Sequence, residues 1–449
     1  MINALVRLVL PDVQDLLREG TPEDIRKALE PFHAADVAEL LEQLEDADAA
    51  RLVDALALQR RVEVFGQLET DACVRLVELL GPEKVATTVA RMASDDRADL
   101  MGELPTELGQ RLLAALPPEE RRDVARLVTY PDGTAGAIMT SDYVSLTPDE
   151  TARDAIEHIR QVARRRETIY ALYVVDAEGR LQGACSLETL ILSGPDKKVR
   201  ELMFPPISVR VDADQEAVVA TLSHYDFLAV PVVDGDGIML GIVTHDDVFD
   251  VAEEEATEDF QRVGAVGPIQ ESLLEVGAWV LYKKRIVWLV ALVFVNLLSG
   301  AGMAFYEETI AHSVVLVFFL PLLIGSAGNA GSQAATLTIR AMATGDVSLR
   351  DWLVLMRKEL LVASTLGATM AAAVSFVGVY RGGPGVGLVV ASTMVLVVCV
   401  GSLVGLSLPF LLSRLGLDPA AASVPLVTSI ADITGVLIYF TIATWVLVG

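Results

Sequence analysis

The chain has 449 residues, 52% of them hydrophobic, and a formal net charge of −26. That apolar fraction excludes an ordinary soluble enzyme of this length, and the acidic balance excludes a nucleic-acid binder, because a negative surface repels phosphates and attracts cations. The two properties separate along the chain: residues 1–282 carry 26 basic and 54 acidic side chains, and residues 283–449 carry nine and seven, so an acidic, water-soluble front precedes an apolar rear. Taken alone, the acidic charge also fits a simple solubilising role. Cys73, Cys185 and Cys399 have no disulfide or metal-ligand spacing, and the five histidines form no cluster. The N-terminal MINALVRLVLPD lacks the basic region and cleavage site of a signal peptide, so a cytoplasmic N-terminus is expected.

Residues 1–130 read as an all-α, acidic helical-repeat domain. Similar blocks start at Leu40, Val64, Thr88 and Leu112, 24 residues apart. That period suits a helix–turn–helix unit that buries its core only against its neighbours. Leu, Val and Ala supply the apolar faces at helical spacing, and acidic residues open the second helix of each unit, where carboxylates are favoured.

Residues 137–200 and 201–250 carry two copies of an α/β pattern. The first runs from MTSDYVSL through ALYVVDAEGRLQGACSLETL, the second from MFPPISVRV through LAVPVVDGDGIMLGIVTHDDV. Asp-Ala-Glu-Gly and Asp-Gly-Asp-Gly read as hairpin turns between apolar strands. The repeat resembles a tandem CBS pair, a regulatory module that often binds adenosine nucleotides such as ATP. The resemblance implies that a Thr or Ser and an Asp three residues later hold the ribose. Thr244 and Asp247 match; the first copy has Ser186 but Thr189 in place of Asp. Tyr170 is a further candidate nucleotide contact.

A long connecting helix is expected over 246–281, from the acidic DDVFDVAEEEATEDFQ to the amphipathic ESLLEVGAWVLYKKR. The remainder, 282–449, reads as an α-helical transmembrane domain. Five stretches, 286–304, 314–339, 360–379, 387–412 and 424–448, are apolar over roughly the 20 residues needed to cross 30 Å of hydrocarbon. Lys283, Lys284, Arg285, Arg340, Arg350, Arg357, Lys358 and Arg414 fall on one side and only Arg381 on the other. The N-terminal domains are therefore expected in the cytoplasm and the C-terminus outside the cell membrane.

Two stretches inside the spans are unusual. PLLIGSAGNAGSQAATL, from Pro321, suggests a broken or closely packed helix. PLVTSIADITG places Asp432 in an otherwise uncharged span, at about 2.5–3.5 kcal/mol if ionised at mid-helix. Asp432 is either a packing residue bonded to Ser or Thr, or a carboxylate that faces a wet cavity and meets a cation. Mg²⁺ is hard, keeps several waters and is held by one or two carboxylates, so one Asp from each of two subunits suffices. Asn329, Gln333, Thr428 and Ser429 are pore-lining candidates for its hydration shell. No Cys/His site exists for a softer metal.

With GSAGNAGSQ (325–333) and PLVTSIADITG (425–435) in place, the whole chain resembles the MgtE family of magnesium channels. The resemblance implies a homodimer in a lipid membrane, with the pore on the two-fold axis and the ion site at Asp432. Asp418, in LGLDPAAASVP, matches an acidic position near the cytoplasmic mouth; a helix cap before Pro419 is the equally good alternative. The resemblance also implies Mg²⁺ sensing at Glu216, Asp226, Asp247, Asp250, Glu255, Glu258 and Asp259, with Glu63, Asp95 and Asp99 from the helical domain. An anion channel with CBS domains, a nucleotide-sensing membrane anchor and an enzyme are the competing classes. Asp432 argues against the first two, and no nucleophile–base pair, phosphate loop or zinc motif supports the third.

Overall fold

The computed structural model describes residues 4–163, 166–269, 273, 276–421 and 424–448. The chain divides into two compact units, Met1–Glu253 and Glu254–Gly449.

The first unit opens with helices Ala4–Glu19 and Pro22–Leu29. Four helix pairs follow: Ala34–Gln43 with Asp46–Ala55, Leu58–Phe65 with Thr70–Leu80, Pro82–Val89 with Ser94–Glu103, and Thr106–Ala115 with Pro118–Leu127. The pairs begin at 34, 58, 82 and 106, which is the period of the sequence blocks. Val37, Leu40, Leu52, Val53, Leu76, Val77, Val89, Leu100 and Leu112 form one continuous core across the repeats. Each buried Leu or Val contributes about 1.5–3 kcal/mol. The second helices carry Asp46, Asp71, Asp95 and Glu119 in their first turns, against the positive end of the helix dipole.

Each α/β copy is a three-stranded sheet. In the first, β1 (Ser145–Leu146) pairs in parallel with β2 (Ala171–Val175), which pairs antiparallel with β3 (Leu181–Ser186). In the second, β4 (Val209–Arg210), β5 (Ala229–Val233) and β6 (Met239–Thr244) repeat that order. The two hairpins are built alike. Asp176 Oδ1 accepts from the amides of Glu178 and Arg180, and Asp234 Oδ1 from those of Asp236 and Ile238. Gly179 (φ 83°) and Gly237 (φ 80°) take the left-handed positions that the turns require.

The last repeats change partner. Ala98 and Leu127 pack with Met139, Val209, Val230, Val232 and Val243, so the helical repeat closes onto the core of the second α/β copy. A polar seam lines this joint. Ser94 Oγ lies 3.0 Å from Thr140 Oγ1 and accepts from the Ser141 amide at 2.7 Å, and Ser141 Oγ donates to Asp123 at 2.8 Å. Asp123 also faces Arg97 at 3.4 Å and Arg126 at 2.9 Å. Arg97 is only 4% exposed, so Asp123→Ala leaves a buried guanidinium without its carboxylate, at a cost of about 3 kcal/mol. The expected result is a lower thermal midpoint of the soluble region and faster protease cleavage near residue 130; an unchanged midpoint would show that the joint does not depend on this pair.

The connecting helix, which begins in the first unit and ends in the second, breaks before the predicted end at 281. The helix His245–Val263 stops there, and among the described residues the next helix is Ala278–Phe305. Gly264, Ala265 in the left-handed region (φ 57°), Gly267 and Pro268 end it. Residues 270–272, 274 and 275 of the predicted helix lie outside the described residues.

Four apolar helical elements follow: Ala278–Phe305, Val315–Ala343, Trp352–Arg414 and Val424–Leu447, with a short helix Glu307–His312 after the first. The third is 63 residues long, yet Gly383 interrupts it with φ 82° and ψ −179°. There it doubles back: Trp352 Nε1 donates to Ser407, Ser364 meets Cys399, and a Cβ on Gly367 or Gly378 would touch the backbone of Val395 or Gly387. The apolar region therefore contains five long helical legs. Val315–Ala343 runs unbroken through Pro321, so of the two readings of GSAGNAGSQ the structure has the closely packed helix.

Candidate functional site

The sequence-predicted residues fall into four places. The first is a cleft between the α/β copies, with about 600 Å³ of empty space partly open to solvent, lined among others by Tyr170, Ser186, Phe204, Asp226, Phe227 and Leu228. Ser186 caps the helix Leu187–Leu192: its Oγ accepts from the Thr189 amide at 3.1 Å and lies 2.8 Å from Thr189 Oγ1. The position that the resemblance gives to a ribose-binding carboxylate is thus a hydroxyl. Thr244 and Asp247 do not line this cleft; Thr244 Oγ1 donates to Asp247 Oδ2 at 2.5 Å. Of the four candidate nucleotide contacts, Tyr170 and Ser186 line this cleft.

The second place is an acidic cluster in the joint between helical repeat and α/β pair. Asp95, at the start of Ser94–Glu103, is 7% exposed, and its Oδ1 is buried without a hydrogen-bond partner among the described residues. Burial, then the neighbouring charges of Asp247, Asp96 and Glu167, hold its carboxyl well above the usual range. Asp96 is pushed up to about 7 by burial and by Glu167 and Asp247. Glu167, although partly in solvent, is pushed up to about 7 by desolvation and by Asp247 and Asp246. Asp247 rises to about 6, mainly from burial, with the Thr244 hydroxyl opposing the shift. Asp99 and Asp250 lie at the exposed edge; desolvation and Asp246 raise Asp250. An orphaned buried carboxylate oxygen among like charges fits a cation. Among the described residues no three Asp, Glu, His or Cys converge as a metal-ligand set.

The charge of this cluster sets a pH dependence. The carboxyl groups ionise near 4 when separated and at about 6–7 when docked. The joint is therefore most stable below about pH 4 and loses stability as pH rises through about 7, where docking forces ionised groups together. Without divalent ions, protease cleavage near residue 130 is expected to be slow at about pH 5 and fast at about pH 8, and added Mg²⁺ at about pH 8 to slow it again. Cleavage independent of pH and Mg²⁺ would remove the cluster from any sensing role.

The third place is the end of the connecting helix. Arg262 donates to Glu258, one turn earlier, and to Asp418 in the segment before Val424–Leu447. Asp418 Oδ1 also accepts from the Ala420 amide at 2.7 Å, so it is a cap as well as an ion-pair partner. Asp259 is raised by burial and then by Glu255.

The fourth place is Asp432, half-buried in Val424–Leu447. This helix packs antiparallel on Val315–Ala343: Gly328 meets Thr428, Gly331 meets Val427, and Gly435 faces Ile324. Asp432 consequently lies level with Gly325, beyond whose Cα there is open space, and Thr428 lies level with Asn329. Asn329 and Gln333 are exposed, one turn apart on the same face. Thr428 Oγ1 donates to Pro425 O at 2.9 Å. Ser429 is 3% exposed and turned into the helix packing, away from the pore-lining role given to it above. Asp432 makes no hydrogen bond or ion pair among the described residues.

Of the remaining metal candidates, Glu63 and Glu216 stand apart from these groups, and Asp226 lines the cleft of the first. Glu63 pairs with Arg60 at 3.0 Å. Glu216 is on the exposed first turn of Gln215–Tyr225, and Asp226 ends that helix in the left-handed region (φ 52°). Asp96, Glu167 and Arg262 were not singled out from the sequence. The Glu258/Arg262 spacing of four residues is the one local signal that could have found any of them.

This layout matches known proteins along its length. The family model described as a divalent cation transporter, MgtE, matches residues 320–442, that of the MgtE intracellular N domain 32–133, and that of the CBS domain 135–193 and 199–254. The Bacillus subtilis protein named magnesium transporter MgtE is 33% identical over 432 residues, 96% of this chain and 95% of that protein. The chain belongs to the MgtE family. The Thermus thermophilus MgtE is 42% identical over 324 residues, 72% of each chain. The crystal structure of the soluble part of a magnesium transporter matches with a TM-score of 0.53 at 33% identity, over 56% of this chain and 99% of that one. The cytosolic domain of the Mg²⁺ channel MgtE in complex with ATP matches with a TM-score of 0.51 at 35% identity, over 54% and 99%. MgtE proteins are transporters and not enzymes, and the fold class expected from the sequence holds: a helical N-terminal domain, a CBS pair and an apolar helical region.

Proposed function

We propose that this MgtE protein is a Mg²⁺-selective channel for magnesium uptake across the cell membrane, closed by intracellular Mg²⁺. Asp432 carries the reading: a half-buried carboxylate with no protein partner among the described residues, on an otherwise uncharged apolar helix. Two copies on a two-fold axis bring two such carboxylates to one ion path, with Thr428, Asn329 and Gln333 holding the ion's waters. The five helical legs cross the bilayer, with the basic loops and the N-terminal domains in the cytoplasm and the C-terminus outside.

Gating works through charge. At low Mg²⁺ the carboxylates of Asp95, Asp96, Glu167 and Asp247 repel, and the helical domain (1–130) separates from the CBS pair (137–250). At high Mg²⁺ their repulsion is offset, and the compact arrangement is favoured because it alone gathers the carboxylates. Glu216 and Asp226, exposed on the second CBS copy, and Glu255 and Asp259 on the connecting helix supply further acidic surface at the two-fold interfaces. ATP fits the cleft beside Tyr170 and Phe227 in a second role. The hydroxyl of Thr189 accepts only a weaker ribose contact than a carboxylate would.

The test is Mg²⁺ influx into proteoliposomes at low and high internal Mg²⁺. Influx that stops as internal Mg²⁺ rises is expected; influx indifferent to internal Mg²⁺ would leave a transporter without this gate.

A further inference from the structure

The family resemblance gives Glu258 and Asp418 to divalent cations, and the residues do not fit that assignment. Both carboxylates are taken by one guanidinium, that of Arg262. The three side chains keep 30–38% of their surface. They sit against an apolar patch in which Val263 packs with Ile339, Leu408, Leu412 and Ala420. The end of the connecting helix is therefore held to the pore region by an ion pair with apolar backing.

We infer that Arg262 is the resident cation of this contact: it occupies the place between Glu258 and Asp418 that a divalent ion would need, and it pins the last turn of the connecting helix at every Mg²⁺ concentration. A guanidinium stays charged at any physiological pH, and its fork presents N–H groups to two acceptors at once. A Mg²⁺ ion would have to displace it and shed tightly held water to reach the same oxygens. The inference rests on the gating reading above and narrows it: Mg²⁺ acts at the acidic joint and not through Glu258 and Asp418 at the end of the connecting helix.

Hydrogen exchange of the full chain in lipid nanodiscs tests this, with backbone amides 258–263 followed in chelator and in excess Mg²⁺. In the native protein their exchange is expected to be the same in both. In Arg262→Gln it is expected to rise about ten-fold in chelator, as two like-charged carboxylates lose their partner, and to fall again with Mg²⁺, which then has free oxygens to bridge. Arg262→Lys, which keeps the charge, is expected to stay near native and guards against a folding defect. Native amides 258–263 that themselves require Mg²⁺ for protection, or Arg262→Gln that exchanges like the native protein in chelator, would overturn the inference. Amides 94–103 report the acidic joint in the same experiment. If they ignore Mg²⁺ the gating reading fails, while the Arg262→Gln comparison in chelator still decides whether the arginine is the pin.

Discussion

Asp432→Asn is expected to cut Mg²⁺ influx about a hundred-fold or more while the protein still folds and inserts. The substitution keeps the size of the side chain, removes the charge and turns one acceptor oxygen into an N–H donor. A dication loses much of its hydration energy in a narrow apolar path, and a carboxylate a few ångströms away returns several kcal/mol at intermediate dielectric. Asp432 is the one charged side chain in 424–448, and no described neighbour shares that work. Asp432→Glu, with its longer reach, is expected to retain partial flux with altered ion preference. The comparison is made by the initial rate of influx into liposomes loaded with a Mg²⁺ indicator, at low internal Mg²⁺. Native influx through Asp432→Asn would move the ion site off this helix and return Asp432 to a packing role.

Features that repeat locally were the legible ones. The 24-residue blocks, the paired Asp-x-x-Gly hairpins and the apolar stretches each carry their pattern within one element, so periodicity alone locates them. The turn at Gly383 was legible for the same reason: the Gly-Gly-Pro at 382–384 falls between two apolar runs. Contacts between distant segments were not. Asp96 and Glu167 are 71 positions apart and meet Asp247 only because the helical repeat docks on the CBS pair, and nothing local distinguishes them from the many solvated carboxylates of the front half. The acidic and amphipathic character of 246–281 favours one continuous helix, but Gly264, Gly267 and Pro268 end it after Val263. Arg262 belongs to the same kind of non-local contact: its partner Asp418 is 156 positions away, and only its spacing from Glu258 is local. Ser429 shows the limit of motif proximity: it shares a stretch with Asp432, yet its side chain is buried in the helix packing, because successive positions along a helix turn by about 100°.

Gly405→Val is expected to prevent the apolar region from assembling, with an effect larger than any loss of a single polar contact. Helices in lipid gain nothing from apolar burial against one another and depend on close backbone approach. Here that approach is carried by small residues: a Cβ on Gly405 would overlap the Gly331 carbonyl, one on Gly401 the Ala327 carbonyl, and one on Gly331 would lie 2.7 Å from the Gly401 carbonyl. Because the obstructing atoms are backbone, no rotamer change relieves the clash, and the two legs must move apart along their whole contact. Overpacking of this kind costs about 1–3 kcal/mol at one site in a deformable core, and three interlocked sites leave less room to adjust. Gly325→Ala is the matched control, in the same GSAGNAGSQ stretch but with nothing within 4 Å of the added methyl. Size-exclusion profiles and thermal midpoints in detergent should show aggregated or unstable Gly405→Val and native-like Gly325→Ala. A stable Gly405→Val would mean that the glycines are not what sets the helix spacing. Once Gly325→Ala is shown to fold, its flux carries separate information: a Cβ there enters open space, and reduced influx in a fully folded protein would put that space on the path of the ion.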